Sequence, residues 1–484
     1  MLKKIIKDSS IYSVNNILTS VVSLFLLPLY TRIFVPADYG IIDILNIVVI
    51  LLSTTISLEI SQAVGRFTVD KKDNHEKAAY FSTALFFVFI TYTLFVIIAV
   101  LNSGYLSQLI LDSNEKSKIV TVAFLSMWSN GLFNFIKGQL RWLSRSVKYS
   151  IVSFSYSLIS ILVTIFLVLV MKIGVIGIFY GLFIGGFTCS LLSFYYVKDL
   201  FIFVFNREKL VEMLEFSTPL VPSSISVFLF VYIDRIMIKQ MMTFNEIGLY
   251  GVGYKIASIM SLLIGGTQMA LTPMIYNHYK EKNTPLELAR IFHYFILFAF
   301  TIILGMSLFT KEILVMFTAP SYYEVAEVIP FLVVSIFFSG IYVFAPGLWI
   351  MKKTKFIALI NMGTAVLNII LNYLLIPIWG IKGAAIATLI GSFIAFYINQ
   401  VLSQRYYPII YSWRKTTYCL GIIVLIYLSN NHVNLSLYTN IFLKMLLMFA
   451  GTSSIMYILI DKNEYIKIKK EIKKITLTLY TILP

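Results

Sequence analysis

The sequence predicts an all-α polytopic membrane protein with about fourteen transmembrane helices, arranged as two six-helix lobes in parallel repeat followed by two C-terminal helices. Three observations predict it. Hydrophobic residues make up 59% of the 484 and charged residues only 13%, with a mean hydropathy of +0.86, which is too apolar for a water-soluble chain of this length. Apolar runs of about 20 residues recur from Ser9 to Leu459, each able to cross a hydrocarbon core of roughly 30 Å as a helix. Barrel strands would be about 10 residues long and alternate in polarity, so a β-barrel is excluded. Finally, several short segments recur at a nearly constant spacing of 206 to 208 residues.

The runs fall near 9–34, 41–65, 78–101, 117–140, 149–170, 174–197, 213–241, 247–275, 287–309, 326–349, 355–379, 382–403, 412–429 and 437–460. The first follows Lys3, Lys4 and Lys7, is too long for a signal-peptide core and lacks a small-residue cleavage site, so it is expected to remain as a helix. Pro36-Ala37-Asp38-Tyr39-Gly40 separates the first run from the second, and Gly174-Val175-Ile176-Gly177 is a turn at the start of the sixth. The connections alternate between basic and nearly neutral. Arg66, Lys71, Lys72, Lys77, Lys137, Arg141, Arg145 and Lys148 fall on one side, as do Lys352, Lys353, Lys355 and the tail from Lys462. This side holds most of the 39 Lys and Arg, and the positive-inside rule makes it cytoplasmic, both termini included.

The net charge of +16 is therefore an effect of orientation and of attraction to anionic membrane lipids. With no soluble basic domain, no nucleic-acid partner is expected. The longest non-cytoplasmic connections, near 102–116 and 310–325, are too short to hold a catalytic domain, and no Gly-x-x-x-x-Gly-Lys-Ser/Thr loop occurs, so an enzyme is not expected. Cys189 and Cys419 lie in apolar runs without ligand-like spacing and read as packing residues, with no metal site expected. The expected organisation is a first lobe over 1–200, a second over 201–405, two further helices over 406–460 and a basic cytoplasmic tail over 461–484.

The repeat is read from four matches. Trp142 with Arg145 and Lys148 recurs as Trp349 with Lys352 and Lys355, at 207. Gly174-Val175-Ile176-Gly177 recurs as Gly380-Ile381-Lys382-Gly383 and Ser61-Gln62 as Thr267-Gln268, both at 206, while Pro36 to Gly40 is echoed by Phe244 to Gly248 at 208. Six helices per copy is an even number, so the copies share one orientation and are related by an axis along the membrane normal. Gly181, Gly185 and Gly186, and also Gly265 and Gly266, read as small faces for close helix packing.

Intramembrane charges are the candidate site. Asp, Lys or Arg at the centre of a span costs about 2.5 to 3.5 kcal/mol on an insertion scale, so each needs a partner, a cavity or a substrate path. The stretch Tyr232 to Lys255 carries Asp234, Arg235, Lys239 and Lys255. Arg32 and Arg66 add cations, while Asp43 and Glu59 are acids on the second run, sixteen residues and thus about 24 Å apart along a helix. Ion pairing, or exchange of a proton or sodium ion, are the roles open to the acids. Lys444, in the last span, reads as a lysine snorkelling to the head groups.

Leu27-Pro28-Leu29-Tyr30-Thr31-Arg32 with Pro36 to Gly40, and Phe216-Ser217-Thr218-Pro219-Leu220 followed by Asp234-Arg235 and Gly248-Leu249-Tyr250, resemble the starts of the two lobes of bacterial polysaccharide repeat-unit flippases, the Wzx type that serves O-antigen and capsule. These belong to the MOP superfamily, with the MATE exporters and the lipid II flippases. The resemblance implies flipping of an undecaprenyl-pyrophosphate-linked oligosaccharide from the inner to the outer leaflet of the bacterial inner membrane, through a cationic central cavity by alternating access. It implies no cofactor beyond a coupling proton or sodium ion, and points to the polysaccharide polymerase machinery as a partner. Arg32, Arg66, Arg235, Lys239 and Lys255 then become candidates for the pyrophosphate, since arginine can fork two oxygens and lysine supplies a point charge. Asp43, Glu59 and Asp234 become ion-coupling or ion-pairing acids. Two other readings stand beside this one: a MATE-type drug or cation exporter, which needs an acid-rich chamber, and a non-transporting scaffold of polysaccharide assembly.

Overall fold

A computed structural model describes residues 18, 19, 21, 22, 24–69, 71, 73–431 and 437–459. Much of the first expected span, Lys3, Lys4, Lys7, Lys72 and the expected tail over 461–484 lie outside the described residues. Among the described residues there is no strand. Among the described residues ten helices are long and apolar enough to cross a membrane, or eleven if Pro320–Glu327 and Ile329–Phe344, bent by 59°, form one span. One of the ten, Thr354–Tyr406, has 53 residues, roughly 80 Å at 1.5 Å per residue. It breaks at Gly380, whose φ of 58° and ψ of −139° lie outside helical space, into two arms of membrane length.

In chain order the elements used below are α1 (Leu27–Ile33), α2 (Pro36–Ile56), α3 (Ile60–Val69), α4 (Asn74–Leu101), α5 (Ser103–Leu111), α6 (Ser117–Trp142), α7 (Ser146–Ile165) and α8 (Ile176–Val197). There follow α9 (Arg207–Ser217), α10 (Val221–Met241), α11 (Phe244–Ala257), α12 (Ile259–His278), α13 (Thr284–Leu308) and α14 (Thr310–Phe317). The chain closes with α15 (Ile329–Gly340), α16 (Thr354–Tyr406), α17 (Trp413–Asn431) and α18 (Leu437–Leu459). Prolines start several of them, as Pro36 does α2 and Pro222 does α10, where the missing amide has no helical partner to lose.

The chain divides into two compact units. One holds Met1–Lys255, Phe317–Val325 and Ala358–Gly391; the other holds Ile256–Met316, Ala326–Ile357 and Ser392–Pro484. In the first, α8 packs through its glycines: a Cβ on Gly181 would lie 2.0 Å from Thr164 Oγ1 and one on Gly185 1.9 Å from Ser160 Oγ. Gly265 and Gly266 behave differently from expectation, because a Cβ at either would meet nothing within 4 Å. In the second unit, rings of Phe292, Phe295, Phe337, Phe344, Tyr411 and Trp413 interlock at centroid distances of 4.5 to 6.2 Å. There Lys444 of α18 is buried and its Nζ lies 2.6 Å from Glu312 Oε1 of α14. The snorkelling expectation for Lys444 is thus overturned: a carboxylate within the unit gives the ammonium a partner that lipid does not.

The repeat has geometric counterparts, and they run at 208 residues. Thr31 Oγ1 donates to the Phe317 carbonyl at 3.3 Å, and Lys239 Nζ donates to the Leu109 carbonyl at 3.4 Å. The two donors are 208 residues apart, and so are the two acceptors. A Cβ on Gly40 would sit 2.0 Å from the Phe244 carbonyl oxygen, while one on Gly248 would sit 1.7 Å from that of Pro36. This reciprocal contact, residue for residue, is what a two-fold relation between α2 and α11 produces. The turn after α6 ends with Arg145 N–H on the Leu140 carbonyl and Ser144 at φ 53°, and its counterpart has Lys353 N–H on the Leu348 carbonyl and Lys352 at φ 55°. Gly174 and Gly380, which are 206 apart, share positive φ, 69° and 58°.

Candidate functional site

The close backbone approach at Gly40 and Gly248 fixes what lies one turn further along both helices. On α2, Tyr39 and Asp43 are four residues apart and share a face. On α11 the residue 208 after Asp43 is Gly251, and its missing side chain leaves room for the Asp43 carboxylate, 3.0 Å from where a Cβ would be. Into this space α10 delivers Asp234 and Arg235, both among its buried residues at 2% and 3% exposure.

Arg235 Nε stands 2.8 Å from Asp43 Oδ2, with 4% of the arginine side chain and 23% of the aspartate side chain exposed. The N–H is not directed onto the oxygen. Nε and Nη1 of Arg235 and Oδ2 of Asp43 have no aligned hydrogen-bond partner although all three are buried, so the contact is an ion pair by proximity. Three tyrosine rings surround the guanidinium, Tyr254 at 4.3 Å, Tyr232 at 5.6 Å and Tyr250 at 5.7 Å from ring centroid to Cζ. Cation–π contacts contribute about 0.5 to 1 kcal/mol at exposed sites and about 2 kcal/mol or more when desolvated, as here. Asp234 is held apart from the guanidinium's open edge: its Oδ1 accepts the Arg235 backbone N–H at 2.9 Å and its Oδ2 accepts the Tyr250 hydroxyl. Tyr250 is also in hydrogen-bond reach of Thr388. Lys255, on α11 five residues past Tyr250, lies within electrostatic range of Asp43 and Arg235.

The structure therefore brings together Asp43, Asp234, Arg235 and Lys255. It does not bring the other four candidates to them. Arg32 is exposed on the last turn of α1, and Arg66 is exposed on the last turn of α3. Lys239 turns to Asp112 Oδ1 at 3.3 Å, just past the C-terminus of α5, where the helix dipole favours a cation. Glu59 accepts a hydrogen bond from Ser224 Oγ at 2.7 Å. The cluster's formal charges balance, two acids against two bases. The contributions of Tyr232, Tyr254 and Gly251 were not read from the sequence; the 208 register and the Tyr250, Tyr254 spacing were the signals that could have found them. Among the described residues no group of three or more His, Cys, Asp or Glu could hold a metal ion, and Cys189 and Cys419 are buried free thiols.

The second unit contains a cavity of about 670 Å³ lined mostly by aromatic rings, including Phe292, Phe337, Phe338, Phe396 and Trp413, with Gln400 and Gln404 as polar points.

Comparison with known proteins decides the family. The family model described as polysaccharide biosynthesis protein matches residues 5–279. The chain belongs to the polysaccharide biosynthesis protein family. A second model, MatE, matches residues 219–374 of this family member. The chain is similar, at 24% identity over 313 residues, to Lsg locus putative protein 1 of Haemophilus influenzae, covering 62% of this chain and 72% of that one. Its fold resembles lipid II flippase MurJ in an inward closed conformation, with a TM-score of 0.73, 17% identity and coverage of 93% and 99% of the two chains. It also resembles an inward-facing multidrug resistance MATE family transporter of the MOP superfamily, with a TM-score of 0.64, 17% identity and coverage of 79% and 94%. This member of the polysaccharide biosynthesis protein family is thus a multi-pass α-helical membrane protein with the MOP transporter fold, and its neighbours are transporters and flippases, not enzymes.

Proposed function

We propose that the protein flips an undecaprenyl-pyrophosphate-linked oligosaccharide from the inner to the outer leaflet of the bacterial inner membrane, with both termini cytoplasmic. The observation that carries the proposal is the buried Arg235, whose Nε and Nη1 lack aligned partners beside Asp43. A buried guanidinium with open donors suits a phosphate, which it can engage through two oxygens at once. Lys255 adds a second positive charge, so that a pyrophosphate competing with Asp43 would meet both. Family membership and the flippase and MATE neighbours support a lipid-linked cargo, and the reciprocal contacts at 208 residues support two repeats that rock against each other. The aromatic cavity of the second unit has the chemistry for an isoprenoid chain. Moving a pyrophosphate outward down an inside-negative potential releases about 2.3 kcal/mol per charge per 100 mV.

The test is flipping of a fluorescent lipid-linked oligosaccharide in proteoliposomes. Label that stays inaccessible from the far leaflet, across several sugars and ion gradients, rejects the proposal. The MatE match over residues 219–374 favours a drug or cation exporter as the second reading; electrogenic uptake of a cationic dye by the same vesicles, with no lipid flipping, would select it.

A further inference from the structure

The two repeats differ around their matching tryptophans. In the first, Trp142 at the end of α6 lies against Gly65 of α3, where a Cβ would come within 2.2 Å of the indole ring. Trp349 is the counterpart of Trp142 at 207 residues, and at the same spacing Gly65 becomes Thr272, Val69 becomes Tyr276 and Phe135 becomes Tyr342. The indole is kept, while three neighbouring positions each acquire a hydroxyl. With Thr272 in place of the glycine, a cavity of about 190 Å³ opens between α12 and the segment that follows α15, lined among others by Thr272, Tyr276, Tyr342, Pro346 and Trp349. Tyr276, Tyr342 and Trp349 are 47%, 39% and 39% exposed, so a ligand can reach the rings.

The backbone behind these rings is fixed. After α15 the chain tightens into a turn at Ile341–Phe344, Ala345 N–H donates to the Tyr342 carbonyl at 2.8 Å, and Tyr411 Oη donates to the Phe344 carbonyl at 2.5 Å. Gly347 N–H donates to Ser403 Oγ of α16 at 2.7 Å, and a Cβ on Gly347 would sit 2.2 Å from the Ser403 carbonyl oxygen. The Tyr342 and Trp349 rings stand 6.4 Å apart and 35° from parallel. A surface already ordered in this way loses little freedom on binding. No Asp, Glu, Lys or Arg lines the cavity, so it offers nothing to a cation or a phosphate. Drug-sized ligands occupy clefts of roughly 300 to 1,000 Å³, and this one has space for a single small ring. Aromatic faces carry a negative quadrupole, which attracts the polarised C–H bonds on one face of a pyranose. Among the described residues, the hydroxyls of Thr272, Tyr276 and Tyr342 and the Trp349 N–H are not taken by other hydrogen bonds, which suits them to the hydroxyl rim of such a ring.

We propose that this cavity is a subsite for one sugar ring of an oligosaccharide, stacked on Trp349 and Tyr342 and hydrogen-bonded by Thr272 and Tyr276. Its place in transport rests on the proposed lipid-linked oligosaccharide cargo; its binding chemistry does not. Trp349 stands three residues before Lys352, on the side assigned to the cytoplasm, so the subsite meets the head group on the side where the cargo starts. Interfacial belts also use Trp and Tyr, but a belt needs neither a concavity nor a hydroxyl gained at three positions.

The test is saturation-transfer NMR on the purified full-length protein in a detergent without a sugar head group. The probes are the methyl pyranosides of glucose, galactose, mannose, N-acetylglucosamine and rhamnose, none of which carries lipid or phosphate. Saturable transfer to the ring C–H protons of at least one is expected, with a Kd of roughly 1 to 10 mM for a single ring. The affinity should fall at least fivefold in Trp349→Ala and Tyr342→Ala, be largely kept in Trp349→Phe, and be unchanged in Trp142→Phe. Thr272→Val and Tyr276→Phe, which keep the shape and remove one hydroxyl each, should weaken binding about two- to tenfold. Thermal unfolding establishes that each variant is folded. Wild-type binding by the folded Trp349 and Tyr342 variants, binding lost in Trp142→Phe but kept in Trp349→Ala, or no saturable transfer to any pyranoside from the folded wild type would each overturn the proposal. Sugar binding with the expected variant pattern but no lipid flipping leaves the subsite standing and removes the flippase reading. Flipping by the wild type with sugar binding indifferent to these variants removes the subsite and leaves that reading.

Discussion

Arg235 and Asp43 stand 2.8 Å apart, from different repeats, without an aligned hydrogen bond between them. Asp43 neutralises the guanidinium in the manner of a resident anion, and Nη1 remains available to another. A phosphate that took Asp43's place would find its donors already desolvated and ringed by Tyr232, Tyr250 and Tyr254. The balance of two acids and two bases keeps the empty site neutral, so an arriving anion is what changes its charge.

Replacing Arg235 tests this directly. Arg235→Ala is expected to lower flipping in proteoliposomes at least tenfold, and Arg235→Lys to recover only part of it, because an ammonium lacks the planar fork and stacks poorly on Tyr254. Membrane levels are expected to stay near wild type, measured by in-gel fluorescence of a fusion. Full transport by Arg235→Lys would show that a point charge suffices.

Asp43 is expected to matter for stability through Arg235. Removing one member of a buried pair strands the other charge and destabilises by about 3 to 5 kcal/mol, whereas removing both is far milder. Thermal unfolding in detergent should therefore rank Asp43→Ala below the double variant Asp43→Ala with Arg235→Met. Additive losses would mean that the pair is uncoupled.

The crossing of α2 and α11 makes the third prediction. A methyl group at Gly40 or Gly248 would lie within 2.0 Å of a carbonyl oxygen of the facing helix, and backbone cannot yield as a side-chain tip can. Gly40→Ala and Gly248→Ala should each destabilise by about 1 to 3 kcal/mol or more. Gly251→Ala meets side chains, the Asp43 carboxylate at 3.0 Å and the Tyr39 ring at 3.5 Å, and is expected to spare the melting temperature while perturbing transport. Equal melting temperatures for all three would argue against the crossing.

Much of this architecture was legible in residue order, and the failures have physical causes. Apolar runs mark spans because backbone groups in lipid must be satisfied within a helix, and Pro36 to Gly40 marked its counterpart because both glycines serve one crossing. The register was blurred by Trp142 and Trp349, which pull it to 207 while the turn hydrogen bonds that follow them run at 208. At 208 Lys239 matches Thr31, and the shared contact is to a helix-end carbonyl. Asp234 and Arg235 stood out because charge is costly in an apolar run, yet Asp43 as Arg235's partner needed the helix crossing to be known. The break at Ser57-Leu58-Glu59 was invisible because it contains neither glycine nor proline, the usual signals of interruption.

Lys444 was misread for a related reason, since snorkelling presumes a lipid-facing helix, and its correction yields the last prediction. Lys444 Nζ lies 2.6 Å from Glu312 Oε1, with 4% of the lysine side chain and 26% of the glutamate side chain exposed, while Glu312 Oε2 is buried without a partner. The pair joins α18 to α14, so it positions an appended helix. Lys444→Met should lower the unfolding temperature by stranding Glu312, at about 3 to 5 kcal/mol. Adding Glu312→Gln should restore most of that loss, because a neutral amide carries no uncompensated charge. Flipping per folded molecule is expected to be equal in the double variant and the wild type. Restored stability with abolished flipping would place the Lys444–Glu312 pair in the transport cycle itself.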